Sequence, residues 1–472
     1  MEFVASHPAD NESIIPIENT EVVSSSAKIS NGHSPHPVET ADRIHTVDMV
    51  RGVALLGILL MNIPVFGIDW SVANSVLRGP STTTDFRTMA VIFTFFDGTM
   101  RGLFSMLFGA GMVLFTLNKK QVPGGVSVAE YYYRRLLWLV AFGMFNAYIL
   151  LWEGDILFYY GLFGMLLYPF RKLAASWLII IGILCITIGM FKNVWWFQQT
   201  RETRANYLSA VAAEKEKKKL TTKQEEAKTA WDNIIKSQAP DTVKINKNIQ
   251  TMRSDYGSIF KHFIPRNSGN ETWGTYHGIW DMLSMMFIGM GLFIMGFFSN
   301  KLSTSTYGMC LLVGYGLGIP IGYIFFKGAV IDSQDIARYV DAYSIPHWVL
   351  YDGRRLLLCL GHASLIMLIY RSKVVPWLMK ALANVGQMAF TNYLMQSIIC
   401  TLFFFGYGFG NYNKLSVHQL YYVVGTVWIF QLIFSSIWLK YFRFGPFEWA
   451  WRSLTYWIKQ PFVKRENKIS ES

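Results

Sequence analysis

Two charged residues and an asparagine in the first long apolar block are the first candidates for chemistry. Asp48 and Arg51 are three residues apart, so they share a helix face, and Asn62 follows Arg51 by eleven residues, about three turns deeper on roughly that face. A charge at the centre of a bilayer costs about 2.5–3.5 kcal/mol on the insertion scale, so such groups pair or face a cavity. The cluster predicts either a helix-end ion pair or a binding site for an anionic group.

Two further polar clusters lie beside later apolar blocks. Asp97 and Arg101 are four residues apart and predict a second ion pair, which either caps a helix or contacts a ligand. Asn146 precedes the acidic turn at residues 153–155, and the last residue of that turn, Asp155, is placed either to cap the next helix or to contact a substrate. Both clusters are therefore candidate binding sites.

Two histidines and two amides complete the set of candidates. His277 is a candidate general base, because an imidazole titrates near neutral pH and Asp281, four residues later, is placed to orient it. His362 is more typical of a hydrogen-bonded packing residue. Asn392 and Gln396 share a helix face, which suits hydrogen bonds either across helices or to a substrate.

The composition identifies lipid as the solvent for most of the chain. Of the 472 residues, 52% are hydrophobic and 16% are charged, whereas soluble proteins carry about 25% charged residues. The apolar residues come in blocks of about 20, the length at which a helix crosses the hydrocarbon core. We predict an all-α polytopic membrane bundle of about 10 transmembrane helices. A shorter apolar stretch, MAVIFTFF, is expected at the interface or as a re-entrant segment.

Charge and cysteine usage exclude other classes. The net charge of +12 does not indicate nucleic-acid binding, because the basic residues lie mostly in short loops beside apolar blocks and form no basic stripe. The four cysteines fall inside apolar segments without CxxC spacing, so we expect no metal site and no disulfide framework.

Five segments follow from this pattern. Residues 1–43 lack apolar periodicity and are predicted to be a disordered tail without a signal peptide. Helices 1–5 are predicted within 44–198 and helices 6–10 within 271–445. The polar, helix-favouring stretch 199–270 is expected to form a solvated arm outside the membrane, and 446–472 a basic tail.

The basic residues also predict an orientation. If the N-terminus is cytoplasmic, the cytoplasmic loops and the C-terminal tail carry most of the Lys and Arg residues. The opposite short loops then carry Asp69, Glu153 and Asp155 with few bases. This asymmetry predicts that both termini are cytoplasmic and that the arm faces outward.

Five motifs span nearly the whole membrane portion. In chain order they are DMVRGVALLGILLMN, FDGTMRGLFSMLFGAGM, RRLLWLVAFGMFNAYILLWEGDILFYYGLFG, NVGQMAFTNYLMQS and GPFEWAWRSLTYW. In this order they resemble the domain of unknown function 418 (DUF418), or YeiB-like, family of bacterial membrane proteins. The resemblance implies a multi-pass protein of the bacterial inner membrane. The N-terminal tail and the arm lie outside it, and the arm is interpreted as a lineage-specific insertion.

The family is in turn similar to a wider set of transmembrane acyltransferases that begin with a comparable Asp-x-x-Arg-Gly helix. In the sugar O-acyltransferases a histidine follows that arginine by eleven positions, where this chain has Asn62, and an asparagine cannot act as a general base. The resemblance implies that Arg51 binds the phosphate or carboxylate of a donor such as acyl-CoA and that Asn62 positions the acyl carbonyl. Asp97 or His277 would then accept the proton of an envelope glycan or lipid.

Two other functions stay open. A small-solute transporter or permease would use the same polar residues to line a path through the membrane. A non-catalytic membrane partner would use the arm at 199–270 as its docking element.

Overall fold

The computed structural model describes residues 44–117, 126–238 and 240–464. The predicted disordered tail at 1–43 therefore lies outside the described residues. Within the described residues, the regular structure is helical. The α-helices, in chain order, are α1 His45–Gly67, α2 Trp70–Arg78, α3 Thr84–Phe95, α4 Thr99–Leu117, α5 Val128–Met144, α6 Leu157–Leu167, α7 Ala175–Lys215, α8 Thr222–Gln238, α9 Thr242–Met252, α10 Tyr256–Gly269, α11 Thr275–Ile294, α12 Thr304–Gln334, α13 Ile336–Ala342, α14 Leu350–Ser372, α15 Pro376–Gln387, α16 Ala389–Phe404, α17 Val417–Tyr441 and α18 Pro446–Tyr456.

Seven helical segments of the described chain are long and apolar enough to cross a membrane. They are His45–Gly67, Thr84–Thr116, Ala175–Lys215, Tyr256–Ile294, Thr304–Gln334, His347–Ser372 and Val417–Tyr441. The shorter apolar helices α5, α6 and α16 pack among them. The prediction of an all-α polytopic bundle is confirmed. The described residues hold seven candidate spans, and the number of about 10 stays a prediction. The stretch MAVIFTFF falls in α3, which packs against α12 and α17 just before α4.

Glycines set the closest helix contacts of the bundle. A side chain at Gly109 of α4 would overlap the main chain of α11, and a side chain at Gly289 of α11 would overlap the main chain of α4. Gly52 of α1 and Gly386 of α15 form an equivalent contact. Small residues let helix backbones approach closely, which strengthens packing where no hydrophobic force acts between helices.

An ion-pair cluster inside the bundle joins α4, α11 and α14. Its members are Asp97, Arg101, Asp281, Asp352, Arg354 and Arg355. Arg354 donates to the Asp97 carboxylate at 2.7 Å, and Arg101 to Asp281 at 2.6 Å. Arg355, with a side chain 1% exposed, pairs with Asp281 as well. The three positive and three negative groups cancel, so the cluster can be buried where an unpaired charge could not.

One continuous helix links the membrane bundle to the arm. The sequence pattern ends the fifth transmembrane helix near residue 195, but α7 runs for 41 residues to Lys215. Residues 199–215 include four Ala, two Glu and two Arg residues, which favour helix, so the helix continues where the apolar run stops. The returning helix α8 packs against it. The helix α7 therefore continues across residue 198, where the sequence predicts the boundary between the membrane helices and the arm.

The arm also has a small apolar cluster of its own, which the sequence did not predict. Phe197 of α7, just before the arm, and Trp231 of the arm are buried together with Tyr339 and Val340 of α13. The arm's apolar residues are too sparse for a core by themselves, as expected, and α13 supplies the missing partners.

We expect the variant Arg355→Ala to be strongly destabilised. Without the guanidinium, the buried carboxylates of Asp281 and Asp352 each lose a positive partner. Loss of one partner of a buried ion pair typically lowers the free energy of unfolding by about 3–5 kcal/mol. Thermal unfolding of the purified protein in nanodiscs measures the effect. Lys223→Ala, which removes an exposed pair with Glu202 on the arm, is the control and should leave the melting temperature near that of the wild type. Equal melting temperatures for the two variants would contradict the assignment.

Candidate functional site

The main cavity lies between α1, α4, α5, α6, α15, α16 and α18 and has a volume of about 210 Å³. Most of its wall is apolar or aromatic. Its apolar and aromatic lining includes Phe104, Leu107, Phe108, Met112, Phe115, Tyr132, Leu136, Leu139, Leu157, Tyr160, Phe390, Tyr393, Trp451 and Tyr456. A concave apolar pocket with a few convergent polar groups is the usual form of a small-molecule site.

Three arginines line this cavity: Arg51 near the start of α1, Arg135 in α5 and Arg452 in α18. The Arg135 guanidinium lies 4.1 Å from the centroid of the Trp451 ring, and Arg51 donates to Asp48 at 2.6 Å. Like charges around one apolar space repel each other, and an anion bound among them relieves that repulsion. We call this region the arginine end of the cavity.

A carboxylate near the arginine end has a structural role. Glu448 of α18 accepts the backbone N–H of Phe390 at 2.7 Å and that of Thr391 at 3.0 Å, and it also accepts the Thr391 hydroxyl. Its charge therefore stabilises the N-terminus of α16. This contact fixes where α16 begins and so places Tyr393, one turn further on, at the opposite end of the cavity.

The opposite end is closed by a hydrogen-bonded group around Tyr393. Its hydroxyl lies 3.3 Å from Asp155 Oδ1, to which it donates, and it accepts the Trp152 indole N–H at 3.2 Å and the Ile156 backbone N–H at 3.1 Å. Asn146 donates to the same Asp155 oxygen at 2.7 Å. A buried carboxylate is thus held directly behind the aromatic wall of the cavity.

The segment that carries Asp155 has irregular backbone. The end of α5 passes into a π-helical turn at Phe145–Ile149, and Leu151 has a positive φ of 57°. Such features are common at functional sites. Burial raises the pKa of Asp155 to about 7, although hydrogen bonds from Asn146 and from the Phe158 backbone oppose the shift. This turn therefore holds a carboxyl group that titrates near neutral pH.

A second cavity of about 430 Å³ lies at the other end of α1, against arm helices α8 and α9 and against α10. We call it the arm cavity. Its charged and aromatic lining residues are Asp69, Trp70, Glu153, Lys236, Asp241, Lys244, Arg266 and Tyr412. Between the two cavities, the Trp152 ring stacks on Phe66 with centroids 3.9 Å apart, while its N–H reaches Tyr393. We call this stacked pair the aromatic layer. It contacts Tyr393 of the main cavity and adjoins Val65 of the arm cavity in the sequence.

The structure confirms one predicted ion pair and corrects another. Asp48 and Arg51 are paired, as their spacing indicates. The predicted pair of Asp97 with Arg101 is wrong: Asp97 binds Arg354 and Arg101 binds Asp281, because α11 and α14 offer partners that the local spacing cannot show.

Asn62 and His277 are among the predicted site residues that do not line the main cavity. Asn62 is partly exposed and is not among the residues that line the cavity. His277 contacts Lys192, whose ammonium nitrogen is 3.0 Å from its Nδ1, on the outer surface of the bundle. The expectation that Asp281 orients His277 is wrong, because Asp281 is held by Arg101 and Arg355 within the bundle.

The predicted amide pair lies behind the cavity wall. Asn392 donates to Ser435 at 2.9 Å, and Gln396 donates to Gln431 at 3.0 Å. These bonds join α16 to α17 inside the bundle, so of the two predicted uses, cross-helix hydrogen bonding is the one observed. His362 is a packing residue as expected, because its ring bonds Tyr315 at 2.8 Å.

Sequence reasoning missed several residues of the cavity. Arg135, Arg452 and Tyr393 are not among the candidates predicted from the sequence. The available signal is their position in the quoted motifs, since Arg135 is the second residue of the third motif and Arg452 lies within the last. Only the packing of α5 and α18 beside α1 brings them to Arg51.

These features define the class of this protein: a polytopic helical membrane protein with a buried, arginine-ended cavity. The chain matches the family model described as "Protein of unknown function (DUF418)" over residues 292–458. It is 27% identical to the uncharacterized protein YxaH of Bacillus subtilis over 446 residues, which cover 92% of this chain and 99% of that protein. It is 29% identical to the uncharacterized protein YeiB of Escherichia coli over 444 residues, 90% of this chain and 100% of that protein.

These matches confirm the predicted resemblance to the YeiB-like DUF418 family. No solved structure matches the chain. The site must therefore be interpreted from its own geometry.

We expect Asp155→Asn to remove a pH dependence of stability. An acid whose pKa is raised on folding binds its proton more tightly in the folded state. Its contribution to the free energy of unfolding is therefore present at low pH and is lost as the pH rises from about 4 to about 7. The wild-type melting temperature should fall more than that of the variant between about pH 5 and about pH 8. Parallel pH profiles for the two proteins would show that Asp155 ionises normally.

Proposed function

We propose that this protein is an acyltransferase-like membrane enzyme that binds a phosphate-bearing acyl donor, such as acyl-CoA, in the main cavity. The observation that carries the proposal is one apolar cavity lined by Arg51, Arg135 and Arg452. A donor of this class combines an apolar acyl group with a strongly anionic head, and the cavity offers complementary surroundings for both.

The arginine end would bind the donor's phosphate. Guanidinium groups form charge-assisted hydrogen bonds to phosphate oxygens, and a low-dielectric wall strengthens each of them. Trp451, which already packs on Arg135, offers a flat face for a ring of the donor's head group. The acyl group would then extend along α4, past Phe104 and Phe108, toward Tyr393.

The chemistry proposed here is transfer of the acyl group to an acceptor hydroxyl. The hydroxyl oxygen bonds to the acyl carbon, the bond from that carbon to the donor's leaving group breaks, and the hydroxyl proton passes to the Asp155 carboxylate. The leaving thiolate stays on the donor and takes a proton from solvent. A base with a pKa of about 7 is suited to neutral pH. We assign this role to Asp155 in place of Asp97 and His277, which lie away from the cavity.

The proposed orientation follows the distribution of basic residues. With both termini cytoplasmic, the arginine end opens toward the cytoplasm, where acyl-CoA is available, and the arm faces the opposite side. An inner-membrane location in a bacterium fits this arrangement. The acceptor would then be an envelope glycan or lipid.

A second candidate function is small-solute transport. The observation that favours it is the pair of cavities at opposite ends of α1, with the aromatic layer of Phe66 and Trp152 between them. Alternating access needs two such spaces around a thin barrier. Counterflow uptake of solute into proteoliposomes would support this function over acyl transfer.

Removal of Arg135 should weaken donor binding. We expect Arg135→Ala to raise the Kd for butyryl-CoA about tenfold or more, because a hydrogen bond to a charged group contributes about 1.5–3 kcal/mol. Calorimetry with the protein in nanodiscs measures this Kd. The matched control is the neighbouring Arg134→Ala, since Arg134 pairs with Glu130 outside the main cavity. Equal affinities for the two variants, or no binding by the wild type, would overturn the proposal.

Filling the cavity should block the acyl group without harming the fold. Gly111 lines the main cavity, and a Cβ added there meets nothing within 4 Å. We expect Gly111→Leu to abolish butyryl-CoA binding while the melting temperature stays near that of the wild type. Gly425→Leu is the control, because Gly425 has equal space around it and lies in α17, outside the lining of the main cavity. Unchanged binding by Gly111→Leu would place the acyl group elsewhere.

A further inference from the structure

The arm cavity shares a wall with the proposed donor site. The turn at residues 153–155 contributes Glu153 to the arm cavity, and two residues later Asp155 bonds Tyr393 of the main cavity. Trp152, which precedes this turn, stacks on Phe66 and donates to Tyr393. Both cavities are therefore built against one short segment of irregular backbone.

The charges that line the arm cavity cancel. The lining has three carboxylates and three cations: Asp69, Glu153, Asp241, Lys236, Lys244 and Arg266. Asp69 accepts the Asn248 amide at 2.5 Å, and Arg266 lies 3.4 Å from Glu153. A strongly charged ligand would leave part of this lining uncompensated, whereas a neutral ligand would not.

The charged and aromatic groups of this lining favour a ligand rich in hydroxyls. Carboxylates accept hydrogen bonds from hydroxyl groups, and ammonium and guanidinium groups donate to hydroxyl oxygens, so each hydroxyl can use both. Trp70, which is 58% exposed, and Tyr412 add aromatic surface that can cover the C–H face of a ring. This combination matches a sugar better than an apolar molecule or an anion.

We propose that the arm cavity is the acceptor site and that it binds an uncharged polyhydroxyl compound, a neutral sugar unit. This inference rests on the proposed acyl transfer, because the shared turn would bring an acceptor hydroxyl beside Asp155. The aromatic layer of Trp152 and Phe66 must shift for the two substrates to meet. The arm thus belongs to the substrate site and contributes Lys236 of α8, Asp241 at the N-cap of α9 and Lys244 of α9.

Saturation-transfer NMR on the full chain in nanodiscs tests this inference, with glucose as the probe. We expect the wild type to transfer saturation to the glucose ring protons, and Glu153→Gln and Trp70→Ala to reduce the signal several-fold. Trp177→Ala is the matched control, because Trp177 is 59% exposed on α7 and lies outside the arm cavity. Glucose 6-phosphate should give a weaker signal than glucose.

The outcomes separate this inference from the proposed function. If butyryl-CoA binds in an Arg135-dependent way but glucose gives no signal, or gives one that survives Glu153→Gln and Trp70→Ala, the acceptor site is overturned and the donor site stands. A stronger signal from glucose 6-phosphate than from glucose overturns the neutral ligand. If glucose binds as expected and butyryl-CoA does not bind, the sugar site stands and the acyl donor is wrong.

Discussion

The pairing of buried charges in a lipid-facing bundle is the constraint on which the rest of this structure depends. Arg354 and Arg355 are almost fully enclosed, and each is compensated by carboxylates on a different segment: Asp97 beside α4 and Asp281 on α11. Unlike apolar packing in lipid, such pairs tolerate little sliding, because a shift of a few ångströms would leave a charge uncompensated. They therefore fix α4, and with it the wall that faces the main cavity.

The two ends of the main cavity differ in the charge of the residues around them. Arginines surround one end, whereas the other end has a carboxyl group kept behind a tyrosine ring. At the arginine end, Asp48 pairs with Arg51, and the carboxylate of Glu448 accepts backbone N–H groups at the N-terminus of α16. In the proposed binding mode, the head of an amphipathic anion would lie at the arginine end.

The sequence predicts the class of fold but not the residues that come together at the candidate site. Block lengths and hydropathy predict the helical bundle, and the spacing of Asp48 and Arg51 predicts their pair, because both depend on local geometry. The partners of Asp97 and Arg101 and the approach of Arg135 to Arg51 depend on which helices become neighbours. Spacing along one helix does not determine which helices become neighbours. It therefore predicts a pair between Asp97 and Arg101, whereas each binds a residue on another helix.

The uninterrupted course of α7 makes the arm a lever. Its 41 residues form a rod about 60 Å long, anchored at one end against α11 and carrying the α8 return at the other. A tilt of only about 5° at the anchored end would displace the far end by about 5 Å. Because Phe197 of this rod packs against Tyr339 and Val340 of α13, any such tilt also has to move α13.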